Sequence, residues 1–498
     1  MTPAEPHGGG RSRPDGGNGS GADWGSRSHP HAGDPSQLYA GDVSRPDAGD
    51  RSRPHAGQRA RREVLDRILT AALQAVEPSQ AVRSALRVED GALAAGDQRY
   101  PLANLRRVLV VGAGKASAPM AAAVEEVLGD RLDLTGSVTV RYGHAAPTRR
   151  VQIREASHPV PDAAGVQATE AILELLRSAG EHDLVVCVIS GGGSALLTLP
   201  VDGISLADLQ QTTDALLRSG ASIGEINTVR KHLDQVKGGG LARLAAPARL
   251  LTLVLSDVVG NPLDAIASGP TVPDTTTWAD AAGVLDRYQL WDVVPAAIAE
   301  RMRAGRDGRL PDTPKPGDPI FERVQTVVVG SNLLACEAAA VEAERQGLRS
   351  LVLTTFVEGE AREVARVLAG LLREVAASGH PLPRPCCLIA GGETTVTVRG
   401  RGTGGRNQEL ALAAAYGLRG LSDVLLASIG TDGNDGPTDA AGAWVDGASL
   451  DRAEALGLDA GRHLADNDSY AFFDRLGDLI RTGPTRTNVN DVYVLCAF

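Results

Sequence analysis

The chain has 498 residues, 43% of them hydrophobic, enough apolar side-chain volume for two large domains and a tail. Aromatic residues are only 3%, so the cores are built of Leu, Val and Ala, and a stacking platform for single-stranded nucleic acid is not expected. A formal net charge of −11 argues against nucleic acid as a partner but leaves room for a local basic pocket that takes a small anion.

Residues 1–58 are rich in Gly, Pro, Ser, Arg, Asp and His, and a short unit recurs there, as in Ser44-Arg-Pro-Asp-Ala-Gly49 and Ser52-Arg-Pro-His-Ala-Gly57. Little in this stretch can be buried, so a disordered tail is expected. Order is expected from near Arg61, where Val64, Leu65, Ile68, Leu69, Ala72 and Leu73 follow helical spacing. Apolar, β-branched runs then alternate with helical patterns: Val108–Val111, Val138–Val140, Leu184–Ile189, Leu250–Leu255, Thr326–Val329, Leu351–Thr354, Cys386–Ala390 and Val424–Ile429. Continuous rather than alternating hydrophobicity marks strands covered on both faces, hence an α/β fold with a parallel sheet between helices. The Gly-, Pro- and charge-rich segment 304–320 reads as a linker between a first domain over 59–303 and a second over 321–498. The five cysteines, Cys187, Cys336, Cys386, Cys387 and Cys496, have neither zinc nor disulfide-framework spacing and read as small buried hydrophobes. No apolar run reaches the roughly 18–20 residues of a membrane span, and no apolar leader is visible, so a cytoplasmic location is expected.

Functional loops in such folds follow the carboxyl ends of strands. The first is Val108-Leu-Val-Val-Gly112-Ala-Gly114-Lys115-Ala-Ser117, a strand, a glycine turn and a lysine at a helix start, suited to a phosphate. It is not a Walker A loop, which would need Gly in place of Leu109 and Ser or Thr in place of Ala116, nor a dinucleotide loop, which would need Gly in place of Ser117. Ser190-Gly191-Gly192-Gly193-Ser194 follows the run 184–189 and can curl its amides around an anion. Leu196 breaks the nucleophile-elbow pattern, so ligand cradling is preferred to a serine nucleophile at Ser194. Asn227-Thr-Val-Arg230-Lys231-His232, continuing to Lys237, is a positive patch in an acidic chain. Ser157-His158-Pro159-Val-Pro161 is stiffened by its prolines and suits a rigid ligand contact. Asp257 closes a strand, and Asp432 stands in the acidic loop Gly430-Thr-Asp432-Gly-Asn434-Asp435, which fails as an EF-hand loop. Gly391, Gly392 and Glu393 end another strand, and Gly404-Gly-Arg406-Asn407-Gln-Glu409 opens a helix with amides and an arginine suited to a phosphate or carboxylate.

In this order the motifs resemble the glycerate 2-kinase family, some members of which carry the label hydroxypyruvate reductase. The matching stretches run from Val111-Gly-Ala-Gly-Lys-Ala116 through Ile189-Ser-Gly-Gly-Gly-Ser194, Glu225-Ile-Asn-Thr-Val-Arg-Lys-His232, Lys237-Gly-Gly239, Leu255-Ser-Asp257 and Gly391-Gly-Glu-Thr394 to Gly404-Gly-Arg-Asn-Gln-Glu409 and Thr487-Asn-Val-Asn-Asp491, and cover about residues 61–498. The resemblance implies a Rossmann-like N-terminal α/β/α domain with a mostly parallel sheet, a C-terminal MOFRL-type α/β domain, and an active site in the cleft between them. It implies ATP-dependent phosphorylation of D-glycerate at the 2-hydroxyl, with ATP and Mg2+ as cofactors, small molecules as the only required partners, no membrane or nucleic acid, and a homo-oligomer left open. Lys115 and Arg406 match its catalytic positions, and alanine at either is expected to lower turnover by orders of magnitude with the fold intact. Gly112, Gly114, Ser190 to Ser194, Gly391, Gly392, Asn227, Lys237, Glu393 and Asn407 are the expected ATP and substrate contacts. Arg230, Lys231 or His158 is expected on the glycerate carboxylate, and Asp257 or Asp432 on the metal. An NAD(P)H-dependent hydroxypyruvate reductase and a non-catalytic sugar-acid or phosphate sensor are the alternatives.

Overall fold

Runs without a polar break set the first sheet. The strands in chain order are β1 (Leu86–Glu89), β2 (Ala92–Ala95), β3 (Gln98–Pro101), β4 (Arg107–Ala113), β5 (Asp133–Arg141), β6 (Val151–Ala156), β7 (Asp183–Ile189), β8 (Arg249–Leu255), β9 (Val324–Gly330), β10 (Arg349–Glu360), β11 (Cys386–Thr395), β12 (Val424–Gly430), β13 (Gly442–Asp446), β14 (Leu479–Ile480) and β15 (Asp491–Ala497). The structure, a computed structural model, describes residues 56–498, and the tail reading of residues 1–58 falls outside it as far as residue 55. Residues 56–58 already belong to the first helix, Ala56–Ala75.

Six strands form an all-parallel sheet in the order β6-β5-β4-β7-β8-β9. β7 is buried at every position, as expected of a strand with helices on both faces. From β4 the chain winds outward through β5 and β6, then returns to the other side of β4 for β7, β8 and β9. The order therefore reverses between β4 and β7, and the crevice at such a switch point is where open α/β sheets bind ligands. β1, β2 and β3 make a small antiparallel meander at the side.

The second sheet has the order β10-β11-β15-β12-β13-β14 and is mixed. Only β10 and β11 pair in parallel, and β15 lies antiparallel between β11 and β12. The parallel reading thus holds for the first sheet and not for the second. Apolar continuity reports burial on both faces, not strand direction, and β15 was not among the expected strands.

The structure also places three segments differently from the sequence boundaries. β9, expected in the second domain, is hydrogen-bonded to β8 in the first sheet. The helix Ala56–Ala75, expected in the first domain, flanks the second sheet: Arg61 pairs with Asp423 at 2.5 Å, and the Arg62 guanidinium lies over the Trp444 ring. The expected linker 304–320 is tied down, with the Asp274 amide donating to Pro314 O at 2.9 Å and Asp312 Oδ1 3.0 Å from His232 Nε2. Its Gly, Pro and charge content reflects turns closed by side chains rather than a free connector. One apolar core joins the two sheets, from Val108 and Val186 through Leu65, Ile68, Ala335 and Ala339 to Ile389, Leu425 and Val492. All five cysteines are buried in these cores, and burial pushes the Cys187 thiol up to about 12. Among the described residues no helix is long and apolar enough to cross a membrane.

Candidate functional site

At the switch point the backbones of two loops interlock. Gly112 and Gly114 have φ of 138° and 146°, open only to glycine, and a Cβ on them would lie 2.0 Å from Val188 O and 2.1 Å from Ser190 Oγ. The Lys115 amide donates to Gly191 O at 2.9 Å, and the Ala116 amide to Ser190 Oγ at 2.9 Å. Ser190 is therefore spent on joining the loops, together with Ser117, whose Oγ lies 3.2 Å away. The Lys115 side chain stands free of this scaffold at the start of the helix Ser117–Leu128.

Two titratable groups press on the glycines of the second loop. A Cβ on Gly191 would fall 2.0 Å from Asp257 Oδ2, and one on Gly192 would fall 2.9 Å from the His158 ring. Burial raises the Asp257 carboxyl above its ordinary range, with the Lys115 charge opposing it. Burial, then the charges of Lys115, Arg141 and His144, lowers His158 from 6.5 to about 4, so the native ring is neutral at pH 7. The unfolded ring binds a proton below 6.5 and the folded one does not, so this stability is complete above pH 6.5 and lost as pH falls toward 4. With solvent screening at a half-buried ring, the effect is about 1 kcal/mol. His158→Gln is expected to flatten the fall of Tm between pH 6.5 and pH 4. An unchanged slope would show that the ring is not held neutral.

On the far side of the Ser190–Ser194 loop, Ser194 Oγ lies 2.9 Å from Ser268 Oγ, which donates in turn to Asn227 Oδ1 at 3.1 Å. Ser268 and Ala267 both occupy the left-handed region, with φ of 61° and 51°, and such strain concentrates at ligand sites. The cations of the nearby patch differ in their freedom. Lys237 is buried and spends its three protons on Leu197 O, Thr198 Oγ1 and Asp234 Oδ2, at 2.7, 3.1 and 2.6 Å, which makes it a strap within the fold. Lys231 is buried between Asp274 and Asp264, at 3.3 and 3.6 Å. Arg230 lines a small cavity with Ser194, Thr198, Asp234 and Lys237; burial lowers its pKa, against the opposing charge of Asp234.

Arg406 opens the helix Arg406–Leu418 and is gripped by carboxylates. Its Nε and Nη2 donate to Asp491 at 2.6 and 2.9 Å, and Nη1 donates to Glu393 at 2.8 Å. Burial disfavours the guanidinium charge, but the hydrogen bonds and charge of Asp491 more than compensate and push its pKa up. The helix amides expected to face a phosphate are already occupied, since Asn407 N and Gln408 N donate to Asp435 at 3.0 and 2.8 Å. Burial raises the Asp435 carboxyl to about 6, its two amide bonds lower it, and the Asp491 charge adds to the rise. Asn407 bridges both acids, 3.3 Å from Asp435 and 3.0 Å from Asp491. Gly391 allows the close approach of Asn332, whose Nδ2 holds the carbonyls of Val489 and Asp491 at 2.8 Å each. Gly392 likewise leaves room for the Val357 carbonyl, 2.1 Å from where its Cβ would stand.

Sequence reasoning missed Asp491 and Asp435 as the groups that orient Arg406 and its helix. The available signal was an acid standing at the head of the apolar run Val492–Cys496, where only a paired carboxylate can be buried.

The two halves meet at a cavity of about 600 Å3, which Lys115, Ser190 and Gly191 line from one side and Asp432, Asn434, Arg486 and Asn488 from the other. A larger, more open cavity of about 950 Å3 lies at the opposite, amino ends of β4 and β8, lined by Arg99, Arg106, Arg249 and Arg323. It is remote from the switch point, and Arg106 and Arg323 there are paired with Asp183 and Glu181. Among the described residues no group of three or more His, Cys, Asp or Glu could cage a metal. Asp257 and Asp432 are single carboxylates, the donor number that suits Mg2+ carried largely by phosphates.

A family described as a domain of unknown function, DUF4147, matches residues 64–303, and the MOFRL family matches residues 386–491. A D-glycerate 2-kinase from Thermotoga maritima is 44% identical over 428 residues, covering 86% of this chain and 96% of that protein. An Agrobacterium vitis relative named, provisionally, a hydroxypyruvate reductase is 45% identical over 433 residues, covering 86% of this chain and 93% of its own length. The crystal structure of a glycerate kinase from Thermotoga maritima superposes with a TM-score of 0.80 at 42% identity, covering 88% of this chain and all of that one. Matched at such identity along nearly the whole of these relatives, the chain belongs to the glycerate 2-kinase family.

Proposed function

We propose that the chain transfers the γ-phosphoryl group of ATP to the 2-hydroxyl of D-glycerate, giving 2-phosphoglycerate and ADP. The observation that carries this reading is the cavity at which the Lys115 loop, at the sheet's switch point, faces the Asp432 loop of the second half. Phosphoryl transfer demands little covalent chemistry of a protein; it demands positioning and a positive field around the moving group. Lys115 supplies a mobile ammonium there, and the Ser190–Ser194 loop supplies backbone amides. Arg230, near Ser194 and Asn227, takes the glycerate carboxylate, while neutral His158 is able to accept a hydrogen bond from a hydroxyl. Asp491 fixes the plane of the Arg406 guanidinium, and the more exposed Glu393 is the partner that a phosphoryl oxygen can replace. Asp257 or Asp432 is the carboxylate that would hold Mg2+, which would supply positive charge to the phosphates. Lys231 and Lys237 support the site by holding its walls.

Phosphorus NMR after incubation with ATP, Mg2+ and D-glycerate tests the reading. Signals of 2-phosphoglycerate and ADP are expected. NADH oxidation by hydroxypyruvate without ADP formation would replace it with the reductase reading, and ligand binding without turnover of either substrate with the sensor. A sharper prediction concerns Gly191→Ala. The added Cβ must displace Asp257, and a shift of about 1 Å at a reacting group costs on the order of 10²-fold in turnover. A steady-state assay that finds turnover within about twofold of the parent would remove Asp257 from the reaction.

A further inference from the structure

The cavity between the two halves is asymmetric in charge. Its ionisable lining is Lys115, Arg141, His144, Asp432 and Arg486, so three permanent cations face one carboxylate in a protein whose net charge is −11. Neither Arg141 nor Arg486 has a carboxylate within ion-pairing distance among the described residues. Three arginines nearby in the chain are paired, Arg149 and Arg150 with Asp130, and Arg481 with Asp439 and Asp474. The two arginines come from different halves, Arg141 from the carboxyl end of β5 and Arg486 from the segment between β14 and β15.

The Arg486 position is enforced. Its φ is 61°, uncommon for a residue with a long side chain, and the flanking chain is pinned on both sides. Thr485 Oγ1 donates to Thr431 O at 2.6 Å, Thr487 Oγ1 to Val76 O at 2.6 Å, and Val489 N to Thr431 Oγ1 at 2.8 Å. Such over-determined strain next to a cavity points to a ligand contact. His144 reports on the convergence. Burial lowers its pKa most, its bond to Lys115 O opposes this, and the charges of Arg141, Lys115 and Arg486 lower it further.

The glycine loop divides this cavity from the smaller one. Ser190 and Gly191 line the large chamber, while Ser194, three residues on from Gly191, lines the small one beside Arg230. The large chamber has the volume for a nucleotide and the charge for several phosphates. The small cavity, of about 20 Å3, has room for no more than a water, and its Arg230, with no ion pair among the described residues, is the cation left to meet a single carboxylate at its mouth.

We propose that the phosphate chain of the nucleotide lies in the large chamber, bridged between Arg141 of the first half and Arg486 of the second, so that nucleotide binding joins the two halves of the site. This rests on the kinase reading above. It adds two residues that the glycine motifs do not include and puts donor and acceptor at opposite ends of the Ser190–Ser194 loop.

The test compares Arg141→Ala, Arg486→Ala and the parent by ADP titration calorimetry, steady-state kinetics and inhibition by inorganic tripolyphosphate. Each alanine is expected to weaken ADP and raise KM for ATP roughly 10- to 100-fold, the worth of a charge-assisted contact, while KM for D-glycerate stays within about threefold. Tripolyphosphate is expected to compete with ATP in the parent and to lose its hold in both variants. ADP affinity within about twofold of the parent in both variants overturns the proposal, as does an equal rise in KM for both substrates. If tripolyphosphate binds in a manner that both variants abolish, yet the parent forms no ADP from D-glycerate, the chamber assignment stands and the kinase reading falls.

Discussion

Lys115→Ala is expected to lower turnover on the order of 10²- to 10³-fold, the loss seen when one preorganised group facing developing charge is removed, while the thermal melt stays within a few degrees of the parent. The separation follows from how the loop is built. Every contact that shapes it comes from backbone or from other residues: Lys115 N to Gly191 O, Ala116 N to Ser190 Oγ, and the tight passages of Gly112 and Gly114 past β7. The Lys115 carbonyl, not its ammonium, faces His144 Nδ1 at 3.2 Å. Removing the side chain therefore takes a charge from the cavity without opening the fold. The effect should fall on kcat more than on KM for D-glycerate, because the ammonium serves the moving phosphoryl group rather than the bound acid. Arginine is not an adequate replacement, since its planar fork cannot track a migrating group as a compact ammonium can. A coupled assay for ADP release with a parallel melt measures both quantities, and turnover within about tenfold of the parent would mean that Lys115 does not stabilise the transition state.

What was legible in the sequence was local. Continuous apolar runs placed β4, β7 and β8, and glycines after them placed the loops, because a glycine that lets two strands touch leaves a mark in the sequence. Topology was less legible. Nothing in Thr326–Val329 says that β9 completes the first sheet, since a buried run looks the same on either side of a domain boundary. The Ala56–Ala75 helix crosses to the second sheet for the same reason: its apolar stripe specifies burial, not the partner. In the site, the cations were found and their partners were not. Lys237 and Lys231 read as anion binders because a cluster of positive charge is visible, whereas Asp264 and Asp274, which neutralise Lys231, lie about 30 to 40 residues further on and reach it only on folding; Asp234 stands three residues before Lys237, a pairing legible in the sequence. Arg141 and Arg486 are hard to pick out for the opposite reason: they stand in no glycine motif, and only folding brings both, without a carboxylate partner among the described residues, to one cavity.

Arg406 is the position where this correction changes an expected result. The sequence gives no reason to expect Arg406→Ala to unfold anything, but the structure does. Asp491 is completely buried and holds Arg406 bidentately, and Asp435, also buried, lies close enough that its own ionisation is disfavoured by the Asp491 charge. Removing the guanidinium strands a charge beside a second acid, and loss of one partner from a buried pair costs about 3–5 kcal/mol. The cost depends on pH. Burial already raises Asp491, and without Arg406 it rises further, so the folded carboxyl binds its proton more tightly than the unfolded one. Stability tied to such a raised acid is present at low pH and is lost as pH rises through the folded value. The deficit of Arg406→Ala relative to the parent is therefore expected to be larger at pH 7.5 than at pH 5. Adding Asp491→Asn removes the stranded charge, so the double variant should recover much of the loss, with a coupling of about 1–3 kcal/mol in a double-mutant cycle. Urea melts of the four proteins at both pH values measure this. Turnover discriminates the role of the arginine from its support of the fold: it should fall on the order of 10²-fold in Arg406→Ala and stay low in the stabilised double variant. Recovery of turnover alongside stability would make Arg406 a positioning residue for its helix and remove it from the transfer step. Additive stabilities would show that Asp491 does not depend on Arg406 for its burial.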